Sequence, residues 1–395
     1  MTAALELSRC GLTVDLVEKS HFAGGHAIQF ACKATDRCVK CGACLAQEKL
    51  AETVSRPNIR LHRASRILSI RRNRRFKVTI ETGPLCIDPQ KCSHCGLCFE
   101  ECPENGALMR GYSPHQAPPY AVNEDNCLYF RDRSCTVCRD ICPQQAIDLD
   151  QTAASGEIEA DAVVLASGFQ PFDPAAKPYG YGKFADVVTT LELERMLRRK
   201  GAVLRPSDHR PAGQMAFIQC VGSRDAKTGH LWCSRTCCAS ALRMAHVIRA
   251  RQPDTEITIF YIDIQTFGKD FETFYRQVRH DLRWVRAIPG DIFGTRDHRL
   301  RVVYYDQQAG EGVEELFDLV VLAVGMTPGA DTARLAEQLH LPAAHSGFLA
   351  GSEACGSKTV PGVFTAGAAT GPMTIAEAIA SGGGAAWRVL RYLAS

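Results

Sequence analysis

The 395-residue sequence has no run of eighteen apolar residues, which excludes an obvious membrane-spanning helix. Its opening stretch, MTAALELSRC, lacks the basic, apolar and small-residue succession of a secretion signal, so the chain is expected in the cytoplasm without membrane insertion. A net charge of +3 is too small to argue for a nucleic-acid partner. One basic run, RRNRRFK at Arg71–Lys77, reads as a solvated hairpin between two strands, or else as a face for an acidic partner. The N-terminal region also lacks the GxGxxG loop with which a dinucleotide-binding fold usually begins.

The rest of that fold's pattern is present. Ala3, Ala4 and Leu7 have helical spacing, Gly11 turns the chain, and TVDLVE alternates as a strand ending at Glu18. A carboxylate at this place binds ribose hydroxyls in dinucleotide folds, which nominates Glu18 with its neighbour Lys19. Gly24, Gly25 and His26 form a second close-approach turn. Met1 falls just after the expected third glycine, so either the start is placed late or the chain lacks the first strand and binds its dinucleotide weakly. Ile158–Gly168 and Leu316–Pro328 read as strands ending in glycine that re-enter a flavin domain, which nominates Gly168 and Gly325. A last strand, glycine turn and helix, PGVFTAGAATGPMTIAEAIASGGGAA, adds Gly367, Thr370, Gly371 and Pro372 as contacts to a phosphate or flavin ring. Between them, GQMAFIQCVG, SALRMAHVIRARQP and EITIFYID form a second α/β unit. Its loop reads CVGS, which speaks against a nicotinamide site.

What the chain holds in excess is cysteine, nineteen residues. At this length a full core is available without disulfide staples, so clustered thiols in a reducing compartment mean metal or redox chemistry. Cys92, Cys95, Cys98 and Cys102-Pro103, then Cys127, Cys135, Cys138 and Cys142-Pro143, follow the two-cluster ferredoxin pattern, with an insertion in the second half. In that pattern the last cysteine of each run crosses to the other cluster. One set is therefore Cys92, Cys95, Cys98 and Cys142, and the other Cys127, Cys135, Cys138 and Cys102. Eight thiols at these spacings disfavour zinc.

A second group, Cys32, Cys38, Cys41 and Cys44, suits a cubane cluster, zinc or a redox dithiol. The third, Cys220, Cys233, Cys237 and Cys238, ends on two adjacent thiols at a helix start. Adjacent residues strain to reach one tetrahedral ion but can reach two irons of a cubane; an active-site dithiol is the alternative. Cys10 and Cys86 read as core or spectator thiols, and Cys355 has no evident partner.

FIQCVGSRD, WCSRTCC, ITIFYIDIQTFGKDFETFY, RHDLRWVRAIPGDI and the ferredoxin-type insertion together resemble the A subunit of heterodisulfide reductase, from Met1 to about Ala386. The resemblance implies an α/β fold: a two-domain thioredoxin-reductase-like flavoprotein with an inserted α+β two-cluster ferredoxin module. FAD-binding parts would span 1–83, 150–204 and 311–395, the module 84–149, and a nicotinamide-domain-like unit 205–310. It further implies FAD, three or four [4Fe-4S] clusters, and a cluster near the flavin on Cys220, Cys233, Cys237 and Cys238. The implied partners are a homodimeric core and the other subunits of a heterodisulfide-reductase-like complex.

The compact form resembles the version found in sulfur-oxidising bacteria. The expected role is electron transfer during oxidation of protein-bound sulfane sulfur, with sulfur chemistry left to companion subunits. Two other enzyme readings stand beside it: a subunit that reduces a thiol-coenzyme disulfide in an anaerobe, and a stand-alone NAD(P)H-dependent flavin disulfide reductase. A binding-module reading, an inert ferredoxin-like scaffold without flavin, is the fourth.

Overall fold

The computed structural model describes residues 1–112, 118–200, 202–342, 344, 346–350 and 360–395, so Cys355 lies outside the described residues. Its largest sheet has five parallel strands in the spatial order Val187–Thr189, Leu319–Val324, Gln214–Val221, Glu256–Phe260 and Arg283–Val285. The central strands are runs of apolar residues because both faces are covered. On one face Met215, Phe217, Leu319 and Val321 pack against Leu242, Ala245 and Ile248 of the helix Cys237–Arg251. On the other, Ala216, Ile218 and Phe260 meet Val302, Tyr304 and Phe317 from an antiparallel sheet of Asp291–Gly294, Leu300–Asp306 and Glu311–Phe317.

This corrects one expectation. Leu319–Val324 does not re-enter the flavin domain; it runs between Val187–Thr189 and Gln214–Val221 in the second unit. An all-apolar strand carries no mark of which buried sheet receives it. Only the short segment after it, Met326–Pro328, crosses over, pairing with Phe169–Pro171.

The remaining strands form smaller sheets. Val14–Val17 pairs in parallel with Ile59–His62, and Val163–Leu165 with Val363–Thr365. The stretch read as one strand from Ile158 to Gly168 is two. Ala154–Ala160 pairs antiparallel with Phe76–Thr82, and the chain then turns through Asp161 to Val163–Leu165. Ser65–Arg72 completes that antiparallel sheet. The basic run lies at its hairpin, where Arg75 binds Asp161 at 2.7 Å and Lys77 binds Glu157 at 3.2 Å.

The cysteine-rich insertion leaves and returns across paired ends of this sheet, since Thr82 sits opposite Ala154. Two neighbouring strands can therefore accept a long detour without parting. Within it, Leu108–Arg110 and Tyr120–Val122 form a hairpin, and an Ile87–Ile147 bridge ties its two ends together. Among the described residues no helix is long and apolar enough to cross a membrane.

The C-terminal helix Ile375–Leu393 starts from a reciprocal cap. Thr374 accepts from the Glu377 amide at 3.2 Å, while the Glu377 carboxylate accepts from the Thr374 amide at 2.8 Å. Thr374→Ala is expected to cost about 1 kcal/mol of stability, and Thr374→Ser much less, as read by denaturant unfolding of both variants.

Candidate functional site

A cleft of about 2640 Å³ runs through the molecule, several times the volume of an ordinary small-molecule pocket (about 300–1,000 Å³). Both two-stranded parallel pairs contribute to its walls, through Val14–Val17 and Val163–Leu165. Glu18, Lys19, Gly24, Gly25, His26 and Gly168 line it. Gly25 and Gly168 have left-handed backbones, with φ of 60° and 72°. A β-carbon built on either would meet nothing within 4 Å, so the backbone there is open to a close-lying ligand.

His26 packs its ring on Phe169 at 5.1 Å, and its buried Nδ1 has no hydrogen-bond partner; burial lowers its pKa. Glu18 accepts from the amide and hydroxyl of Ser20, both at 2.9 Å, which fixes its carboxylate at the strand end. Lys19 is instead paired with Asp331 at 2.9 Å. An open glycine wall, a carboxylate and an orphaned ring nitrogen are a donor and acceptor set that fits a dinucleotide.

The other nominated positions lie differently. Gly325 is off the cleft, pressed against the hydroxyls of Ser223 and Ser234. In the final glycine turn, Gly367, Thr370, Gly371 and Pro372 are not on the wall, which Ala368, Met373 and Thr374 supply instead. The Gly367 amide is already committed to the Ser381 hydroxyl at 3.0 Å.

The four thiols of the third group converge at the junction of the Gln214–Val221 strand and the Cys237–Arg251 helix. Cys237 is buried and shares hydrogen bonds with Cys220 and Cys238, which push its own pKa well up. The same bonds lower Cys220 and bring Cys238 to about 7, while burial raises Cys233. The Arg235 amide donates to the Cys233 sulfur at 3.3 Å. Cys220, Arg224 and Arg235 all hold left-handed backbones, at φ of 60°, 55° and 59°, conformations that non-glycine residues keep only where their surroundings impose them.

The Arg235 side chain then binds Glu377 at 2.7 Å, tying the thiol loop to the C-terminal helix. From the first two turns of the Cys237–Arg251 helix and its N-cap, Thr236, Ala239, Ser240 and Arg243 reach the cleft wall. Gly222 in this loop packs so close to the Phe172 ring that any side chain there would overlap it.

In the insertion, Cys98 lies among Cys92, Cys142 and Cys95, and Cys138 among Cys127 and Cys102, with Cys98 also near it. Burial pushes Cys98 up to about 11 and Cys138 to about 12, so neither would ionise without a compensating positive centre. Cys135 lies half-buried just before the Val137–Asp140 helix. Cys86 is fully buried beside Cys127 and Cys138, with its pKa also raised to about 12, first by burial.

The Cys38–Cys44 turn copies the Cys92–Cys98 turn. Lys40 and His94 occupy matching left-handed positions, and each donates its amide to the cysteine two residues back at 3.4 Å. Gly42 and Gly96 then start a helix at the same step, with φ of 81° and 87°. Cys44 has Cys41 and Cys38 as thiol neighbours, whereas Cys32 is exposed on the approach to the turn. All eighteen described cysteines are free. Among the described residues no three His, Cys, Asp or Glu side chains close on a point as ligands of one ion would. A cubane spreads its thiolates around a larger body than one ion, so these sets are compatible with clusters in their donor chemistry.

Sequence reasoning missed the ion pair in the cleft wall. Lys33 and Glu194 are 3% and 1% exposed, with Nζ 2.6 Å from Oε1, and the Ala31 amide donates to the same carboxylate at 3.0 Å. Burial raises the Glu194 pKa, and Lys33 works against that. The partners are 161 residues apart, so no local spacing could announce them.

No model of a known protein family matches the chain. Curated relatives do. The chain is 34% identical over 412 residues to the A subunit of "H(2):CoB-CoM heterodisulfide,ferredoxin reductase" from Methanothermobacter marburgensis, covering 98% of this chain and 61% of the relative. It is 35% identical over 408 residues to the iron-sulfur A subunit of "CoB--CoM heterodisulfide reductase" from Methanocaldococcus jannaschii, covering 97% and 61%. It is 34% identical to the A subunit of "Ferredoxin/F(420)H(2)-dependent CoB-CoM heterodisulfide reductase" from Methanosarcina acetivorans, covering 99% and 51%. The chain thus spans between half and two thirds of these relatives' length.

Among solved structures, the thioredoxin reductases of Lactococcus lactis and T. acidophilum align with TM-scores of 0.56 and 0.53, each at 14% identity. Both alignments cover 100% of this chain and 95% of the other. The architecture is thioredoxin-reductase-like.

Lys33→Ala would strand a buried carboxylate and is expected to cost about 3–5 kcal/mol. The double change Lys33→Met with Glu194→Leu should recover most of that loss in thermal unfolding, because no unpaired charge remains.

Proposed function

The chain belongs to the family of heterodisulfide reductase A subunits, and on that premise we propose that it is an iron–sulfur flavoprotein carrying electrons within a heterodisulfide-reductase-type complex. One observation carries the reading: the first two turns of the Cys237 helix, with its N-cap Thr236, present two thiols inward and Thr236, Ala239, Ser240 and Arg243 to the cleft. A cluster on the one side and a flavin on the other would then be neighbours. Cys102 and Cys41 also reach the cleft wall, so thiols of the insertion and of the N-terminal turn approach the same space.

FAD would lie against Gly25 and Gly168, with Glu18 toward its ribose and His26 offering Nδ1. Cys220, Cys233, Cys237 and Cys238 would hold one [4Fe-4S] cluster. Two more would sit in the insertion, on Cys92, Cys95, Cys98 and Cys142 and on Cys127, Cys135, Cys138 and Cys102. The copied turn supports a fourth on Cys38, Cys41 and Cys44, with Cys32 the nominated remaining ligand. When bound, flavin exchanges electrons in pairs and iron–sulfur clusters one at a time.

The sequence left two physiological settings open. The relatives' names all refer to the CoB–CoM heterodisulfide, which favours reduction of a thiol-coenzyme disulfide over sulfane-sulfur oxidation. Companion subunits and a homodimeric core follow as proposals from the same family. The stand-alone NAD(P)H reductase draws less support, because the loop after the Gln214–Val221 strand reads CVGS and not GxGxxG.

Anaerobically purified protein is expected to contain about twelve to sixteen irons and one FAD per chain. Cys237→Ser should lose about four irons and keep the two clusters of the insertion. About eight irons and no flavin would reduce the chain to a relay module, and rapid flavin bleaching by NADPH alone would favour the stand-alone reductase.

A further inference from the structure

We propose that Gln219 is a positioning residue whose side-chain amide donates a hydrogen bond to a sulfur of the cluster on Cys220, Cys233, Cys237 and Cys238. The inference rests on the reading that these four thiols hold a cluster. Gln219 is 4% exposed, yet neither its Nε2 nor its Oε1 has a hydrogen-bond partner. Leaving such a buried group unsatisfied costs about 1–3 kcal/mol, and buried polar groups are almost always paired. An apolar residue of the same size would avoid that cost, and the positions before it, Met215 to Ile218, are all apolar.

Its direction follows from the strand. Gln219 follows Ile218, whose side chain faces away from the Cys237–Arg251 helix, so it turns toward the face of Met215 and Phe217 as the strand enters the bulge between Ile218 and Val221. It is the last such position before the kink at Cys220, so it lies at the end of the strand where that helix begins. On the helix, Cys238, Leu242 and Ala245 share the buried stripe, which places Cys238 over the strand end. The polar groups missing a partner are therefore held beside the thiol set. Nε2 finds no acceptor among the described residues; a cluster sulfur would supply one, and a bridging water can serve the carbonyl end.

An N–H···S bond favours the more negatively charged reduced cluster and so raises its potential. The backbone already contributes one such donor at Cys233, from Arg235.

The test uses the full chain with its cofactors, purified anaerobically. The redox titration follows the paramagnetic signal that Cys237→Ser abolishes. In Gln219→Met the iron content should be unchanged. The potential of that signal alone should fall, with the reduced-to-oxidised ratio shifting about tenfold, or about 59 mV for one electron. An unmoved potential in folded Gln219→Met or Gln219→Leu overturns the proposal and leaves Gln219 to a buried water. Should neither variant fold, the unaltered protein decides by magnetic coupling between the cluster and glutamine labelled with ¹⁵N in its side chain. Coupling to this amide supports the bond and its absence refutes it. If Cys237→Ser abolishes no signal, the cluster reading itself has failed, which is a separate outcome.

Discussion

The seating of the Cys237–Arg251 helix on the five-stranded sheet is the contact on which the rest of the site depends. Leu242, Ala245 and Ile248 anchor it through apolar contacts with Met215, Phe217 and Val321, residues that are almost completely buried. That anchoring sets the height and rotation of the first turn. The turn in turn decides that Cys237 and Cys238 meet Cys220 and that Ala239 and Ser240 meet the cleft. A rotation of one residue, about 100° on a helix, would send the thiols elsewhere.

Strain and polarity concentrate around this contact. The left-handed backbones of Cys220, Arg224 and Arg235, the orphaned amide of Gln219 and the clamp from Arg235 to Glu377 all lie within two short loops or the strand end feeding them. None of these features improves packing by itself. A large apolar core on both faces of the sheet offsets their cost, which is how a folded chain keeps a reactive set of thiols in fixed positions. The ion pair of Lys33 and Glu194 belongs to the same pattern, a charged pair retained in the cleft wall where hydrophobic residues would pack as well.

The insertion follows a different constraint. Because Phe76–Thr82 and Ala154–Ala160 are neighbours along their whole length, the chain can depart at Thr82 and return at Ala154 with little cost to the sheet. The module then needs only its own small core, built largely from its cysteines together with Ile87, Val122, Tyr129 and Leu149.

Much of this was legible in the sequence, because cysteine turns and secondary structure are written in short-range spacing. The Cys92–Cys98 and Cys38–Cys44 turns, the opening helix and strand, Glu18 at the strand end and the glycine turn before the last helix all depend on residues within about one turn of one another. Long-range pairing was decided only when the chain closed on itself. Nothing local in LVVLAV says that it joins the sheet of Gln214–Val221, and nothing near Lys33 points to Glu194. A period of two or of 3.6 residues reports which way a side chain faces. What it faces is set by tertiary packing, and that is why the thiols and part of the cleft wall could be named from the sequence while the Lys33–Glu194 pair and the unpartnered Gln219 could not.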